Sequence, residues 1–281
     1  LFLVLFLIVI AISIHLFKQL YRKKSIIYEK FAYSRVIFFL TVFVIGTLYV
    51  LGYFITCRLV RDEKLKIKTE AKLTISAIKA ALESKMSKID AGVNAISGSP
   101  AIINYLDNPS EENWKAINSV LTRYYNAFDA YAIYLIDTSG ITIASSNYNT
   151  ELSFVGKDYS FRNYFQESMA GKKSSCFAVG ATTGERGYFS SAPVKGPDGK
   201  VRGVIAIKYD AEQLDSIFSI EPKAYLVDQN NIVFLSSSVS FNFRPLFPLT
   251  DLQKQQISLL PHYRVNSLQP LVKRRISTDE I

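Results

Sequence analysis

Two long apolar runs open the chain, and both predict helices that cross a membrane. Residues 1–17 are almost purely apolar, and residues 36–57 carry no charge over 22 positions. A run of about 20 apolar residues matches the hydrocarbon core of a bilayer, whereas a buried core helix, the alternative interpretation, usually has a shorter apolar run. Residues 18–35 between the two runs form a predicted basic loop.

An apolar stripe follows in residues 58–97 and predicts a long stalk helix. Ile78, Leu82, Met86 and Ile89 recur at spacings of three and four, which is one face of an α-helix. A Gly-Ser-Pro sequence directly afterwards predicts the end of this helix. Such a face would pack either against the soluble domain or against the same helix of a second copy.

Beyond the stalk, the hydrophobic period alternates between that of helices and that of strands. A helix is predicted to begin at residues 108–109, because Asn suits the cap and Pro suits the first turn. Helices followed by strands, with short turns between them, predict an α+β fold with an antiparallel sheet. The further predicted elements are strands at 131–137 and 141–145, a helix at 161–170, and strands at 174–181, 187–194 and 201–209.

An internal repeat indicates that the chain holds two similar α+β units in tandem. Residues 134–146 read YLIDTSGITIASS and residues 225–237 read YLVDQNNIVFLSS, at a constant offset of 91. Gly140 is matched by Asn231, the other residue that tolerates a left-handed turn. The offset is too long for a solenoid repeat and suits a duplicated small domain, whose second copy we predict to be incomplete.

Charge and cysteine content narrow the functional class without deciding it. The chain of 281 residues has a formal net charge of +9, and many of the cations flank the apolar runs. This placement favours a membrane surface over nucleic acid as the partner. Only two cysteines are present, Cys57 and Cys176, and they are not expected to pair.

No motif of a catalytic or cofactor-binding site occurs in the sequence. P-loop, dinucleotide-binding, nucleophile-elbow and zinc-protease signatures are all missing. His15 and His262 lie in the first apolar run and near the C-terminus, so they are not expected to share a site. We therefore predict no catalytic residue, no metal and no cofactor within this chain.

A polar, basic and aromatic group of residues predicts a site for a small anion. Arg162 lies in a strongly aromatic segment, Arg186 follows a Gly-rich connection, and Lys208 interrupts an apolar strand. Arginine can hold a carboxylate with two hydrogen bonds, and an isolated lysine in an apolar strand is costly to bury without a partner. The alternative is that these cations lie on the surface or pair with Asp158, Glu185 or Asp210.

Several longer runs resemble the double Cache (tandem PAS-like) sensor region of bacterial C4-dicarboxylate sensor histidine kinases. The membrane-distal unit is represented by VGKDYSFRNYFQESMAG, GATTGERGYFSSAPV and GVIAIKYD. The membrane-proximal unit is represented by YLVDQNNIVFLSSSVSFNFRPLFPL and HYRVNSLQPL. The resemblance covers residues 58–275 and implies a distal ligand-binding unit at 98–212 and an incomplete proximal unit at 213–281.

The resemblance also implies a ligand and a set of binding residues. The ligand would be a dicarboxylate such as succinate, fumarate or malate. Asp158 and Phe189 depart from the family pattern, and an acidic Asp158 near the pocket would either weaken the binding of a dianion or select another ligand. The implied ligand-binding residues are Tyr159, Arg162, Thr182, Thr183, Arg186, Tyr188, Ser191 and Lys208.

The resemblance further implies where the protein works and with what. The sensor would lie in the periplasm, anchored in the bacterial inner membrane, with residues 1–17 as an additional span outside the usual pattern. It would form a homodimer through the stalk helix and act on a cytoplasmic response regulator through a kinase beyond this chain. Two alternatives remain open: a Cache sensor of a chemoreceptor or diguanylate cyclase that binds another small carboxylate or an amino acid, and a structural membrane protein that only dimerises.

Overall fold

The structure, a computed structural model, describes residues 26–258 and 269–273 together with residues 15, 18 and 19. The chain divides into two units, Leu1–Ala71 and Lys72–Ile281. Helix α1, Ile26–Ser97, contributes to both. The predicted span at residues 1–17 lies outside the described residues except for His15.

The first unit contains the membrane-span candidate. Within the described part of the chain, the helical residues 35–97 include one stretch that is long and apolar enough to cross a membrane. Its large apolar side chains, for example Phe39 and Leu48, are exposed. The predicted basic loop needs correction, because α1 already begins at Ile26. Residues 26–35 contain neither Gly nor Pro, which agrees with the helix there, and residues 20–25 of the predicted loop lie outside the described residues.

The end of α1 packs one face on the core of the second unit. Ile78, Leu82, Ile89 and Val93 are buried there, and the helix ends at Ser97, as the sequence predicts. These buried positions belong to the predicted stripe and are spaced by four and seven residues, which places them on one face of the helix.

Two shorter helices follow α1, and the sequence predicts only one of them. Helix α2 occupies Pro100–Asp107, because the proline that ends α1 also suits the first turn of a new helix. Helix α3 occupies Glu111–Phe128. Its cap is Ser110, whose Oγ accepts the backbone N–H of Asn113, and not Asn108 as predicted.

An antiparallel sheet of five strands forms the centre of the second unit and confirms the predicted α+β class. The strand order is β2-β1-β5-β4-β3, and every neighbouring pair is antiparallel. Helix α4, Asn163–Met169, lies between β2 and β3 in the chain. The strands are β1 Ala132–Asp137, β2 Thr142–Ser145, β3 Ser174–Val179, β4 Arg186–Lys195 and β5 Val201–Asp210.

Each face of this sheet has a core of its own, because successive strand side chains point to opposite faces. One face packs on the end of α1, on α2 and on α3, and we call it the helix face. The other packs on α4 and on the aromatic segment before it, and we call it the pocket face. The pocket face holds the predicted binding segment and the helix face holds the stalk.

The part of the second unit that the sequence predicts to be membrane-proximal contains a two-stranded sheet, β6 Tyr225–Val227 with β7 Val233–Ser236. We call this pair of strands the proximal hairpin. It is reached through helix α5, Ala211–Asp215, and a 3-10 turn at Ser216–Ile220. A second 3-10 turn, Val239–Phe241, and helix α6, Asp251–Ser258, follow it.

The two hairpins repeat each other in register as well as in sequence. Tyr134 pairs with Ser145 in the first hairpin, and Tyr225 pairs with Ser236 in the second, which preserves the offset of 91. Both pairings shift by one residue after the second pair. The turns also match: Gly140 and Asn231 both have positive φ, at 95° and 61°. The sequence repeat is therefore a structural repeat.

Candidate ligand-binding site

The candidate site lies on the pocket face, where three segments meet. These segments are the loop 180–185 between β3 and β4, the residues just before α4, and the C-terminal half of β5. Strand alternation directs Lys208 of β5 and Phe189 of β4 to this face, and the two are cross-strand partners.

Lys208 is the most deeply buried cation of the site, with 1% of its surface exposed. Its Nζ donates to Thr183 Oγ1 at 2.8 Å and lies 3.6 Å from the ring centre of Tyr131. Among the described residues, no carboxylate lies within ion-pair distance of this ammonium group. Burial lowers the pKa of Lys208 to about 8, and the more distant Asp210 and Glu185 oppose this shift.

Two glycines make the space that the Lys208 side chain occupies. A Cβ on Gly187 would lie 3.2 Å from Lys208 Cε and 2.9 Å from the Tyr209 carbonyl oxygen. A Cβ on Gly180 would lie 2.6 Å from Thr183 Oγ1. Larger residues at either position would displace the lysine or the hydroxyl that it binds.

Arg162 enters the site from the residue before α4. Its Nη2 donates to the carbonyl oxygen of Val179 at 2.8 Å, and its guanidinium packs against the rings of Phe161 and Phe189. Its Nε is buried and has no hydrogen-bond partner in the part of the chain that the structure describes. The predicted helix at 161–170 would turn Arg162 away, but α4 begins only at Asn163. Arg162 therefore has extended backbone and lines the cavity.

Aromatic hydroxyls complete the polar lining. The Tyr159 hydroxyl and Thr182 Oγ1 are 2.7 Å apart, and the hydroxyls of Tyr134 and Tyr164 are 2.9 Å apart. Burial raises the pKa of Tyr159, so that its phenol stays protonated and can donate at neutral pH.

These groups enclose a cavity of about 10 Å³, which is the space of roughly one water molecule. Its polar side chains bond to one another, so a ligand of four or more carbons would have to replace those bonds and open the loop. The lining consists of Tyr134, Phe154, Tyr159, Arg162, Tyr164, Gly180, Ala181, Thr182, Thr183, Phe189 and Lys208.

Five of the eight predicted binding residues line this cavity, and three lie elsewhere. Arg186 and Tyr188 are on the helix face: Arg186 pairs with Asp215, and Tyr188 bonds to Asp90 of α1. Ser191 is on the pocket face but bonds to Ser168 and to the backbone of Tyr164, which fixes α4 on the sheet. Because residues of one strand alternate between faces, Arg186 and Tyr188 cannot share a face with Phe189.

The two departures from the family pattern differ in their relation to the cavity. The carboxylate of Asp158 is exposed and accepts the backbone N–H of Ser160, which lowers its pKa. Asp158 therefore does not line the cavity. Phe189 does line it and stacks on Tyr164, with ring centres 5.7 Å apart.

A second, larger cavity of about 500 Å³ lies between the proximal hairpin and β3, which is an edge strand of the five-stranded sheet. Arg162 and Tyr164 line both cavities, so they form the wall between them. The remaining lining is mainly apolar and includes Phe177, Leu226 and Phe234. Arg162 is the only predicted binding residue that borders this second cavity.

Family comparison identifies the chain. The model of the Cache domain matches residues 59–267, which is well over half of the sequence. The chain is a Cache sensor domain.

Sensor kinases of one kind are similar to this Cache domain. The C4-dicarboxylate transport sensor protein DctB of Rhizobium meliloti is 32% identical over 177 residues, which is 63% of this chain and 28% of that protein. Its counterpart from Pseudomonas aeruginosa is 30% identical over 178 residues, covering 63% of this chain and 29% of that protein. The chain thus matches less than a third of the length of these homologues.

Solved structures support the same fold. The sensor domain of the Vibrio cholerae histidine kinase DctB superposes with a TM-score of 0.64 at 29% identity, covering 72% of this chain and 78% of that one. The ligand-binding domain of the Campylobacter jejuni chemoreceptor Tlp3, in complex with L-norvaline, has a TM-score of 0.50 at 21% identity. That match covers 62% of this chain and 71% of the chemoreceptor chain, and it shows a shared fold alone.

Several residues of the candidate site escape a reading of the sequence. Tyr131, Tyr134, Tyr164 and Phe189 surround the cations but look like ordinary core aromatics in the sequence. Strand alternation could have identified Phe189. Residues an even number of positions apart share a face, so Phe189 lies on the face of Gly187 and opposite to Arg186 and Tyr188.

Proposed function

We propose that this Cache domain is the extracytoplasmic sensor of a two-component histidine kinase and binds a small C4-dicarboxylate. The observation that carries the proposal is that two cations, Lys208 and Arg162, line one aromatic and hydroxyl-rich pocket in which none of the described lining residues is Asp or Glu. A buried ammonium group of this kind is costly unless an anion completes it. The names of the homologous DctB proteins supply the same ligand class.

A dicarboxylate would use the two cations as separate anchors. One carboxylate would take the Lys208 ammonium group from Thr183, and the other would receive the guanidinium fork of Arg162. Arg162 already directs one N–H at a carbonyl oxygen and has an unpartnered Nε, so its donors suit two hydrogen bonds to one carboxylate. Tyr159 and Thr182 would then fix the ligand's orientation with their hydroxyls.

The lining of the pocket also bears on competing ligands. An amino acid carries an ammonium group, which needs a carboxylate or several carbonyl oxygens around it. Among the described residues that line the cavity there is no Asp or Glu. This favours a dianion over an amino acid, and it favours the kinase relatives over the amino-acid chemoreceptor that shares the fold.

The membrane arrangement is part of the proposal. Residues 36–57 would cross the inner membrane, and the Cache domain would lie in the periplasm. Charge alone leaves the orientation open, because residues 18–35 and residues 58–72 each carry six cations. The similarity to the DctB kinases favours the periplasmic orientation, with a homodimer through the stalk helix and a response regulator as cytoplasmic partner.

Calorimetric titration of the full chain in lipid nanodiscs tests the ligand class. Succinate, fumarate and L-malate are the candidate ligands, butyrate removes one carboxylate, and L-norvaline represents an amino acid. We expect saturable binding of at least one dicarboxylate and a loss of at least about 100-fold for butyrate, because one charged pair is then missing. Arg162→Ala should abolish binding. No heat from any dicarboxylate at millimolar concentration, or unchanged affinity in Arg162→Ala, would contradict the proposal.

A further inference from the structure

The residue next to the pocket in β4 reaches the stalk helix directly. The Tyr188 hydroxyl donates to the carboxylate of Asp90 in α1, at 2.9 Å and 3.1 Å from its two oxygens. Tyr188 is 1% exposed, and 98 residues separate it from Asp90 in the sequence. Burial raises the pKa of Tyr188, so the phenol is a donor at neutral pH.

Strand geometry connects this bond to the ligand site. Phe189, which lines the pocket, and Tyr188, which contacts the helix, are consecutive residues and project from opposite faces. Their partners in β5 repeat the arrangement: Phe189 pairs with Lys208, and Tyr188 pairs with Tyr209. Any shift of β4 and β5 at the pocket must therefore move the side chains that touch α1.

We propose that Tyr188 is the positioning residue that couples the pocket to the stalk helix, through its hydrogen bond to Asp90. The inference rests on the proposed function, because it names how ligand binding at that site would reach α1. Sequence resemblance groups Tyr188 with the ligand-binding residues, whereas the geometry gives it no contact with the pocket. Its role is thus transmission and not recognition.

The energetics of a bond to a carboxylate favour this role. A hydrogen bond from a hydroxyl to a charged group is stronger than one between two neutral groups. The Tyr188 side chain is 1% exposed and the bond is partly buried, so water competes weakly for the phenol. The Asp90 carboxylate is therefore held in register with β4, and α1 follows the strand when the strand moves.

Tyr209 offers a matched control on the same face of the sheet. It lies directly across from Tyr188 and contacts α1 through Lys85, whose Nζ lies 4.8 Å above the ring. Its hydroxyl is buried and finds no hydrogen-bond partner among the described residues. Tyr188→Phe and Tyr209→Phe therefore each remove one buried hydroxyl, but only the first removes a bond to the helix.

Hydrogen–deuterium exchange of α1 peptides within residues 82–97 provides the readout, in the full chain in nanodiscs. In the first arm, succinate is added to the wild type and to both variants, and affinity is measured in parallel. We expect the ligand-induced change in exchange to fall at least about fivefold in Tyr188→Phe, the lower end of usual coupling strengths, with affinity within about threefold of wild type. Tyr209→Phe should keep both the affinity and the change.

A second arm separates this inference from the identity of the ligand. Lys208→Met perturbs the pocket without any ligand, and we expect it to alter exchange in residues 82–97 when Tyr188 is present. The double variant Lys208→Met/Tyr188→Phe should show the exchange of Tyr188→Phe alone. If succinate fails to bind but this arm gives the expected result, the proposed ligand is wrong and the coupling stands.

Three results would overturn the inference. One is an undiminished response of α1 to succinate, or to Lys208→Met, in the Tyr188→Phe background. Another is an equal loss of response in Tyr188→Phe and Tyr209→Phe, since that would indicate a general loosening of the helix face. The third is a loss of succinate affinity in Tyr188→Phe, which would return Tyr188 to the binding site.

Discussion

The five-stranded sheet buries one cation on each face, and the two cations differ in the partners that surround their charge. On the helix face, Arg186 is 9% exposed, and its Nη2 lies 2.7 Å from Asp215 Oδ2. Its Nη1 donates to Asp215 and to the carbonyl oxygen of Phe234 in the proximal hairpin. On the pocket face, Lys208 is 1% exposed, and its ammonium group contacts only a hydroxyl and an aromatic ring among the residues that the structure describes.

The difference predicts a structural role for Arg186 and, under the proposed function, a binding role for Lys208. Arg186 joins the distal sheet to the proximal hairpin, since Asp215 also accepts the backbone N–H of Ser236. All partners of this charge come from the chain itself. Burial depresses the pKa of Lys208, and within the described part of the chain no carboxylate lies close enough to form an ion pair with it. A buried charge left incomplete by its own protein is a good candidate for a ligand anchor.

Removing Arg186, the cation paired with Asp215, should have the largest effect on the free energy of unfolding. Arg186→Met leaves Asp215 buried without its partner, which costs about 3–5 kcal/mol. Thermal and urea unfolding of the variant should show this loss. Arg202→Met is the control, because Arg202 forms exposed ion pairs with Asp107 and Asp198. That change should cost at most about 1 kcal/mol. Equal costs for the two variants would remove the distinction between them.

Removing the incomplete cation should affect binding and spare the fold. We expect Lys208→Met to lose at least about 100-fold in succinate affinity, the usual penalty for truncating one partner of a buried charged pair. Unfolding temperature at neutral pH should stay equal or rise, because the charged lysine is disfavoured in the folded protein. With the folded pKa at about 8 and the ordinary value at 10.5, wild-type stability should increase as the pH rises between these values.

The same stability measurement can contradict this account. A pH-independent stability of the wild type between pH 8 and 10 would argue against a depressed lysine pKa. A large loss of stability in Lys208→Met would also contradict it, because Lys208 would then be a structural cation like Arg186.

A methyl group at Gly187 should displace the incomplete cation without removing its charge. The added Cβ of Gly187→Ala would lie 2.9 Å from the Tyr209 carbonyl oxygen, closer than real Cβ atoms come, and 3.2 Å from Lys208 Cε, which is a tight contact. Overpacking of this kind costs about 1–3 kcal/mol, and we expect succinate affinity to fall about tenfold or more. Gly98→Ala, where the nearest atom is 3.8 Å away, should leave affinity unchanged. Unchanged affinity in Gly187→Ala would mean that the lysine position does not matter.

Removing the charge of Asp158, which directly precedes the lining residue Tyr159, should have the smallest effect on succinate affinity. Asp158 is exposed and bonded to the Ser160 N–H, so Asp158→Asn should change succinate affinity by at most about threefold, as expected of a screened surface charge. Parallel titrations of wild type and variant measure this. A tenfold gain in affinity would show that Asp158 repels the ligand, as the family resemblance suggests.

Much of the fold follows from local patterns in the sequence. The stripe from Ile78 to Val93 locates the stalk helix, and the repeated turn with Gly140 and Asn231 locates both hairpins. These features depend on neighbours close in sequence, so period and turn chemistry are sufficient. Helix α2 is missed because its proline is read as an end and not as a beginning.

The candidate site is less visible in the sequence because its partners are distant. Arg186 and Lys208 look alike there, and only the long-range contact with Asp215 separates them. The direction of the Arg162 side chain depends on where α4 begins. A start two residues earlier, as predicted, would turn Arg162 away from the cavity. Strand parity would have separated Tyr188 from Phe189, but no local signal announces that Asp90 lies beneath Tyr188.

The most direct test of the central claim is the proton balance of succinate binding at pH 8, where free Lys208 should be about half protonated. Calorimetry in buffers of different ionisation enthalpy measures the protons taken up. If a carboxylate binds the Lys208 ammonium group, affinity should fall as the pH rises through 8, with an uptake of about 0.5 proton per succinate. Lys208→Met should show no uptake. Tight binding without proton uptake in the wild type would contradict the role of Lys208.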